Sequence, residues 1–360
     1  MTRHIGIWLL LTALVLAACS SDDEGQTGAQ QKTTLQILSC QKEFSVVDNT
    51  VTRGLPSGFS STSETSIKLF LTTGTNDDRK NDIFYYIDGK WKSEVNITAG
   101  LCHIYGYIPS TNEGSIAPLN GDYAKGAVMT FTDLPSITTD DPCFITGIKQ
   151  VDLNKTSATT EEIAAAAGEV KEGCFEYTIR ASLQGNYLYV LLDHLYAGLE
   201  FQFQINKDYA KLRTIKLKKV ELKGTQAPTV SPVVTLRANA TGASPIESIE
   251  WNEAGSGTGY VEIFNNTAGE ELKVTFSESP VTTAQFAPIY SGTQSMTMRC
   301  TYDVYTADGT LIGERQAENR ISQVADMTRG KKRIITVTVN PTYLYVLADP
   351  DLDNPTITVH

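Results

Sequence analysis

The chain has 360 residues, a net charge of −11 and 41% hydrophobic residues. This acidic balance argues against a nucleic-acid partner, because a phosphate backbone calls for a basic protein surface. Beyond the N-terminal apolar run, no stretch of the sequence is apolar for long enough to predict a membrane-spanning helix. Threonine, tyrosine and valine are plentiful while helix signals are few, which predicts an all-β protein.

The N-terminal residues have the composition of an export signal. A basic start precedes an apolar run from Ile5 to Val15, which is too short to cross a bilayer core of roughly 30 Å. The following L-A-A-C, ending at Cys19, resembles a bacterial lipobox, where the chain is cut before the cysteine and its sulfur is lipidated. We therefore predict that lipid on Cys19 anchors the chain to a membrane. An ordinary secreted protein whose signal contains this cysteine is the alternative.

Residues 20–24, S-S-D-D-E, form a short acidic run directly after Cys19. The run resembles the surface-export signal of Bacteroidota lipoproteins, which implies a lipid-anchored, surface-exposed location on the cell outer membrane. A solvated linker is the alternative interpretation of the same residues.

The remaining cysteines and histidines show no pattern of a metal site or a disulfide framework. The cysteines after Cys19 are odd in number and no two have metal-ligand spacing, so we interpret them as small buried apolar residues. His103 and His194 lie in predicted strands beside apolar neighbours, where a structural histidine is expected. These five cysteines are Cys40, Cys102, Cys143, Cys174 and Cys300.

Motifs of enzymes and of bound ions are absent or incomplete. There is no G-x-S-x-G elbow, no H-E-x-x-H and no phosphate-binding loop, so we predict neither an enzyme nor a cofactor. Asp349, Asp351 and Asp353 match the first half of a calcium loop, but the loop's glycine is replaced by Asn354 and its glutamate by His360. A solvated turn without a metal is the better interpretation.

Strand signals recur at spacings near ten residues, which is typical of β-sandwich domains. One helix is predicted at Thr159–Val170, where Thr159 and Glu162 have the spacing of a capping box. We expect two sandwiches that meet near residues 183–193. The strands are predicted at residues 34–39, 44–47, 67–72, 83–87, 101–109, 128–131, 143–149, 175–183, 187–192, 199–203, 215–222, 230–236, 260–264, 272–276, 296–305 and 333–339.

Five stretches in this order behind the lipobox resemble the Bacteroidales fimbrillin family, the Mfa-like and type V pilin superfamily. They are Thr52-Arg53-Gly54, Trp91, Tyr105–Pro109, Leu192–Phe201 and Pro341–Leu347. The resemblance implies two transthyretin-like β-sandwich domains in tandem, lipoprotein export, cleavage by an arginine-specific protease and assembly into fimbriae with other subunits.

The resemblance and the strand pattern together predict a domain plan and a function. The predicted function is a fimbrial, type V pilus subunit that contributes to cell adhesion; a glycan-binding surface lipoprotein, using aromatic residues such as Trp91 and Trp251, is the alternative. The plan is a signal peptide at 1–18, a lipidated tether at 19–33, a propeptide at 34–53, an N-terminal sandwich at 54–184, a C-terminal sandwich at 185–340 and candidate donor strands at 341–360.

Assembly by strand exchange would join the two ends of the chain. Cleavage between Arg53 and Gly54 would release a strand that contains Leu35 and Ile37 and would leave backbone groups without partners. The candidate replacement from a neighbouring subunit is Tyr343-Leu344-Tyr345-Val346-Leu347. We predict a head-to-tail contact that generates a filament. The alternative is that the C-terminal tail forms the last edge of its own sandwich.

Overall fold

A computed structural model of the chain shows an all-β protein, which confirms the predicted class. It describes residues 32–33, 35–41, 45–46, 65–73, 78–87, 90–92, 97–98, 100–151, 172–180, 186–224, 228–239, 243–254, 259–278, 282–287, 295–324, 327–342 and 351–359. Within these residues there is no α-helix, and three short 3-10 turns occur at 119–121, 209–211 and 276–278. The predicted helix Thr159–Val170 lies outside the described residues. No helix in the described part of the chain has the length and apolar character needed to cross a membrane.

The described residues form 26 strands. In chain order they are β1 Lys32–Thr33, β2 Leu35–Gln41, β3 Ser45–Val46, β4 Thr65–Thr73, β5 Asp78–Ile87, β6 Lys90–Lys92, β7 Ile97–Thr98, β8 Gly100–Ile108, β9 Ser115–Pro118, β10 Gly126–Thr130, β11 Leu134–Pro135, β12 Cys143–Val151, β13 Glu176–Ile179, β14 Asn186–His194, β15 Ala197–Ile205, β16 Arg213–Lys223, β17 Thr229–Val230, β18 Val233–Arg237, β19 Ile246–Glu250, β20 Glu253–Ala254, β21 Val261–Glu271, β22 Thr282–Ala287, β23 Met296–Thr306, β24 Leu311–Ile321, β25 Lys331–Thr342 and β26 Asp351–Val359.

Two sheets enclose the first core. The larger has eight strands in the order β2-β14-β12-β8-β4-β5-β6, with β13 also paired to β8. The smaller has four strands in the order β19-β18-β10-β9. Leu69, Tyr105 and Val190 of the large sheet pack in the same buried cluster as Met129 and Val234 of the small one. Alternation places apolar side chains on one face of each sheet. The two apolar faces pack together away from water and form a β-sandwich.

A second pair of sheets encloses a second core. One sheet has the order β22-β15-β25-β26, with β3 also paired to β25, and the other has the order β21-β16-β23-β24. Phe201 and Phe203 of β15 are fully buried, as their alternation predicts, and they share a cluster with Leu217 and Cys300 of the facing sheet. Strands β15 and β25 pair in parallel, with Phe201 opposite Ile335.

The two cores interleave along the chain. Val230, Val234 and Leu236 belong to the first core, although they follow β15 and β16 of the second. Ile137 belongs to the second core, although it precedes the last strands of the first. The chain therefore crosses between the two cores several times. The predicted limits of the domains and their transthyretin-like topology stay predictions.

The strand prediction omits β9, β19, β22 and β24, and three of its other parts differ from the structure. The predicted strand 272–276 is wrong, because Leu272 is buried while Val274 and Phe276 are exposed and residues 276–278 form a 3-10 turn. The predicted strand 230–236 is interrupted at Pro232, which has no N–H to donate to a ladder, and it divides into β17 and β18. The predicted turn from Gly74 to Asp82 is too long. Strand β5 begins at Asp78, and Asp78 pairs with Thr73 of β4.

Candidate functional site

The residues predicted to act in assembly fall in two groups. Cys19, Arg53, Gly54 and the candidate donor Tyr343-Leu344-Tyr345-Val346-Leu347 lie outside the described residues. Leu35 and Ile37, predicted in the displaced strand, lie in β2. The candidate site is therefore built from the described strands nearest to these residues in the sequence.

Strand β2 forms one end of the eight-stranded sheet. It runs parallel to β14, from Leu35 opposite Asn186 to Gln41 opposite Leu192, and Ile37 is opposite Leu188. In the order of the sheet, β14 has β12 on its other side, so β2 alone covers the outer edge of β14 within the described residues. Loss of β2 would leave the backbone N–H and C=O groups of β14 on that edge without a strand partner.

The edge of β14 lies directly beside an apolar core. Leu188, Val190 and Leu192 alternate along β14 and are fully buried in the first core. A strand that pairs with this edge would therefore extend a sheet whose apolar face is already buried, as in peptide recognition by β-strand addition.

Strand β3 covers a different edge in the second sandwich. Ser45 and Val46 pair in parallel with Lys331 and Lys332 at the start of β25. Lys332 also pairs with Gly198 of β15, so β3 lies on the opposite edge of β25 from β15. That is the edge on which β26 pairs further along β25. Both β2 and β3 precede Arg53 in the chain, and each borders a different core.

Strand β26 forms the C-terminal edge of the second sandwich. It pairs antiparallel with β25, from Val359 opposite Val337 to Thr356 opposite Asn340, and the register then shifts so that Asp351 is opposite Thr342. Residues 352–355 therefore lie outside the ladder. Pro355 falls in this interruption, as expected for a residue without an N–H. Residues 351–359 lie on their own sandwich.

Five side chains bind the backbone carbonyls of β26, and we call them the clasp. The carbonyls of residues 353, 355, 357 and 359 point to one side because backbone groups alternate along a strand, and that side is away from the pairing with β25 and toward β24. The bonds are Tyr209 Oη to Leu352 O at 2.6 Å, Arg315 Nε to Asp353 O at 2.9 Å, Tyr302 Oη to Pro355 O at 2.5 Å, Asn319 Nδ2 to Ile357 O at 2.6 Å and Gln323 Nε2 to Val359 O at 3.1 Å.

The geometry of the clasp follows from strand periodicity. Arg315 and Asn319 are four residues apart in β24, so both side chains leave the same face of that strand, and Gln323 follows at the same interval. Tyr302 comes from β23 and its ring is fully buried in the second core. Side-chain hydrogen bonds therefore replace a backbone ladder between β26 and the sheet that contains β24.

Burial raises the pKa of both tyrosines in the clasp above their ordinary value. Tyr302 is fully buried and Tyr209 nearly so, and the ionised phenolate would be removed from water in either case. The two hydroxyls therefore stay protonated at neutral pH and act as donors to the carbonyls of Leu352 and Pro355.

The aspartates of the incomplete calcium loop have partners within the chain. Asp351 accepts backbone N–H bonds from Asp353 and Asn354, at 3.0 and 3.2 Å, and a further bond from the Asn354 amide. Asp353 accepts from Arg213 Nε and Nη2 at 3.1 and 2.7 Å. The structure places Asp351 and Asp353 at the start of β26 rather than in a solvated turn, and Asp349 lies outside the described residues.

The aromatic residues offered for glycan binding are largely parts of the cores. The ring of Trp251 is partly buried and lies 6.1 Å from the ring of Tyr196. Seven tyrosines are among the largest fully buried side chains, and four of the seven lie in strands. They are Tyr105, Tyr107, Tyr123, Tyr177, Tyr196, Tyr209 and Tyr302.

Comparisons with known proteins give a structural match and no sequence match. No protein-family model matches the chain, and no curated protein matches it. A candidate cell adhesion protein from Bacteroides fragilis is 12% identical with a TM-score of 0.41, over 91% of this chain and 97% of that one. A fimbrial protein from Bacteroides vulgatus is 10% identical with a TM-score of 0.36, over 82% of this chain and 91% of that one.

A further solved structure in the comparison is the fimbrial anchor protein Mfa2 from Porphyromonas gingivalis. It is 10% identical with a TM-score of 0.29, over 90% of this chain and 96% of that one. The chain thus has a structural match to Bacteroidales fimbrial and adhesion proteins at low identity.

Proposed function

We propose that the chain is the precursor of a fimbrial subunit that contributes to cell adhesion and assembles by strand exchange. The observation that carries the proposal is the placement of β2 and β3. Both strands precede Arg53, both are edge strands, and they border the first and the second core respectively. A single cut after Arg53 would therefore separate both strands from the rest of the chain.

The cut would create an acceptor edge. Residues 186–192 of β14 would lose seven residues of strand pairing, and Lys331 and Lys332 of β25 would lose two more. Unpaired edges beside an apolar core favour the addition of another strand. A second subunit, identical or paralogous, that supplies a strand would restore the lost bonds.

The proposed donor is Tyr343–Leu347 of the neighbouring subunit. This segment lies between β25 and β26, so its downstream end is joined to a strand that the clasp holds. Donation to a second copy therefore requires β26 to leave the clasp. The contact is heterologous and generates a filament rather than a closed dimer.

The proposed cleavage is tested with an arginine-specific protease. Wild-type protein treated with the protease is expected to give ladders on a gel and filaments in negative stain. Arg53→Ala is expected to give neither, because its propeptide strands stay attached. Arg53→Lys treated with trypsin is the matched control, since trypsin cuts after lysine, and it is expected to restore the ladder. Polymer from uncut Arg53→Ala protein would contradict the cleavage step.

The donor is tested separately by changes within the segment. Replacing Leu344 and Val346 with aspartate is expected to stop polymer growth while cleavage at Arg53 proceeds. The reason is that burying an unpaired carboxylate beside an apolar core costs free energy. The control places the same aspartates at Tyr343 and Tyr345, which alternate to the other face of an extended strand. Polymer that forms equally well from both double variants would rule the segment out as donor.

The proposed location before maturation is the outer membrane, where lipid on Cys19 anchors the chain. After maturation, the proposed location is the fimbria. Cys19→Ala is expected to lose acyl labelling and to release the protein from the membrane fraction. Labelling that survives this change would exclude the lipobox, and resistance of intact cells to added protease would exclude surface exposure.

A further inference from the structure

Three metal-binding side chains meet where the first sandwich passes into the second. Cys143 is the first residue of β12 and His194 is the last residue of β14, and the two are directly opposite each other in the ladder. Asp141 lies two residues before Cys143. The Leu195 N–H donates to the Pro142 carbonyl at 2.7 Å, which fixes the segment that carries Asp141 against the end of β14.

The donor atoms of these residues form a compact cluster. His194 Nδ1 lies 2.7 Å from Asp141 Oδ2 and 3.9 Å from Cys143 Sγ. All three donor atoms lie within 4.8 Å of one another. The side chain of His194 is 1% exposed and that of Asp141 is 12% exposed, so the aspartate provides the route from solvent.

This arrangement does not have the geometry of a catalytic triad. In a triad, the carboxylate and the nucleophile bind opposite nitrogens of the imidazole, so that the ring can relay a proton between them. Here Asp141 and Cys143 both approach Nδ1 of His194. Three different donors converging on one point are the arrangement of a metal site with an open fourth position.

The separations agree with a tetrahedral ion after a small adjustment. Zinc binds thiolate sulfur at about 2.3 Å, and imidazole nitrogen and carboxylate oxygen at about 2.0–2.2 Å. Ligands at those lengths around one tetrahedral ion are roughly 3.3–3.7 Å apart. The distance from Nδ1 to Sγ is already near this range, and Asp141 would turn away from Nδ1 to make room for the ion.

We propose that Asp141, Cys143 and His194 bind one Zn²⁺ ion. On binding, the Cys143 thiol releases its proton to solvent and His194 offers the lone pair of Nδ1, while water completes the coordination. The site goes beyond the proposed fimbrial function and does not depend on it.

The ion would stabilise the junction of the two sandwiches. Beside the site, Arg329 forms an ion pair with Asp193 at 3.0 Å and donates to the His194 carbonyl at 3.2 Å. The Gly330 N–H, immediately before β25, donates to the Tyr196 carbonyl at 3.0 Å. A metal bound at His194 would therefore fix the point at which the segment before β25 contacts the end of β14.

The test is a titration of the full-length protein with Co²⁺ and Zn²⁺ under reducing conditions. We expect one equivalent of Co²⁺ to produce a thiolate-to-cobalt charge-transfer band, which Zn²⁺ abolishes. Cys143→Ser is expected to lose the band, while Cys300→Ser, a buried cysteine of the second core, retains it. Absence of the band in the wild type, or a band that survives Cys143→Ser, would overturn the proposal.

A second variant decides the question if Cys143→Ser does not fold. Asp141→Asn is expected to weaken Zn²⁺ binding by at least about tenfold, because changes in the outer shell of zinc sites already have effects of that size. Zn²⁺ is expected to raise the melting temperature of the wild type more than that of Asp141→Asn, because the variant binds the ion more weakly. An equal rise in both proteins would show that the ion binds elsewhere and would overturn the site.

Discussion

The two edge strands at opposite ends of the chain, β2 and β26, are held in different ways. Strand β2 pairs with β14 in parallel, and parallel pairing is slightly less stable per residue than antiparallel pairing. Strand β26 pairs antiparallel with β25, and four of the five side chains of the clasp bind the carbonyls on its other side, while Tyr209 binds the Leu352 carbonyl. One end of the chain thus borders a predicted cleavage site, while the other is bound to two sheets at once.

This difference indicates an order of events for the proposed assembly. Cleavage of one peptide bond would free β2 to dissociate from β14, whereas release of β26 requires several hydrogen bonds to break together. A bond of this kind contributes on the order of 1 kcal/mol to stability. The clasp therefore retains the C-terminal strand in the precursor, and its strength sets how readily a cleaved subunit donates its tail.

The largest expected effect comes from removing the central ring of the clasp. Tyr302→Ala should lower the free energy of unfolding by about 3–5 kcal/mol, because it opens a cavity in the second core and removes the donor to the Pro355 carbonyl. Tyr302→Phe keeps the ring and should lower it by about 1 kcal/mol. Urea unfolding followed by circular dichroism measures both variants. No loss of stability in Tyr302→Phe would contradict the role of the hydroxyl, and equal losses in the two variants would contradict the role of the ring.

Alkaline pH should weaken the second sandwich through the same residue. The pKa of Tyr302 is raised above the value near 10 of an unfolded tyrosine, so the folded state holds its proton where the unfolded state has lost it. The contribution of this proton to the free energy of unfolding is complete below about pH 10. It is lost as the pH rises, by at most about 1.4 kcal/mol per pH unit for one proton.

Tyr302→Phe isolates this contribution from those of the other buried tyrosines. The stability of the wild type, measured by urea unfolding between neutral pH and pH 11, should fall more steeply above pH 10 than that of the variant. Parallel curves for the two proteins would show that Tyr302 does not titrate on unfolding in this range.

The smallest expected effect comes from one amide of the clasp. Asn319→Ala removes the donor to the Ile357 carbonyl and should lower stability by about 1 kcal/mol. After cleavage, the same change should speed polymer formation about fivefold, since that energy corresponds to this factor in rate. Gln316→Ala is the control on the opposite face of β24, where the side chain contacts Thr301 and not β26. Equal rates of polymer formation for the two variants would show that the clasp does not control assembly.

The sequence predicts the cores better than it predicts the clasp. Phe201 and Phe203 alternate in a run of apolar residues, and this signal is sufficient to place them on a buried face. Strand β24 carries Arg315 and Asn319 on the side that faces β26, so polar residues occupy positions where a strand pattern requires apolar ones. Its strand character is hidden because these side chains bind a backbone rather than pack in a core.

The proposed metal site escapes prediction for a different reason. Cys143 and His194 are 51 residues apart and become neighbours only through the register of β12 with β14. No local spacing marks such a pair, because the contact depends on a ladder formed between distant segments.

Hydrogen exchange before and after cleavage at Arg53 shows directly whether β2 leaves β14 while β26 stays in place. It should be read by mass spectrometry on dilute protein with Leu344 and Val346 replaced by aspartate, so that no donor strand refills the edge. We expect faster exchange in β14, at residues 186–192, and unchanged slow exchange in β26, at residues 356–359. Unchanged exchange in β14, or faster exchange in β26 than in β14, would contradict the account that the N-terminal strand leaves while the clasp holds the C-terminal one.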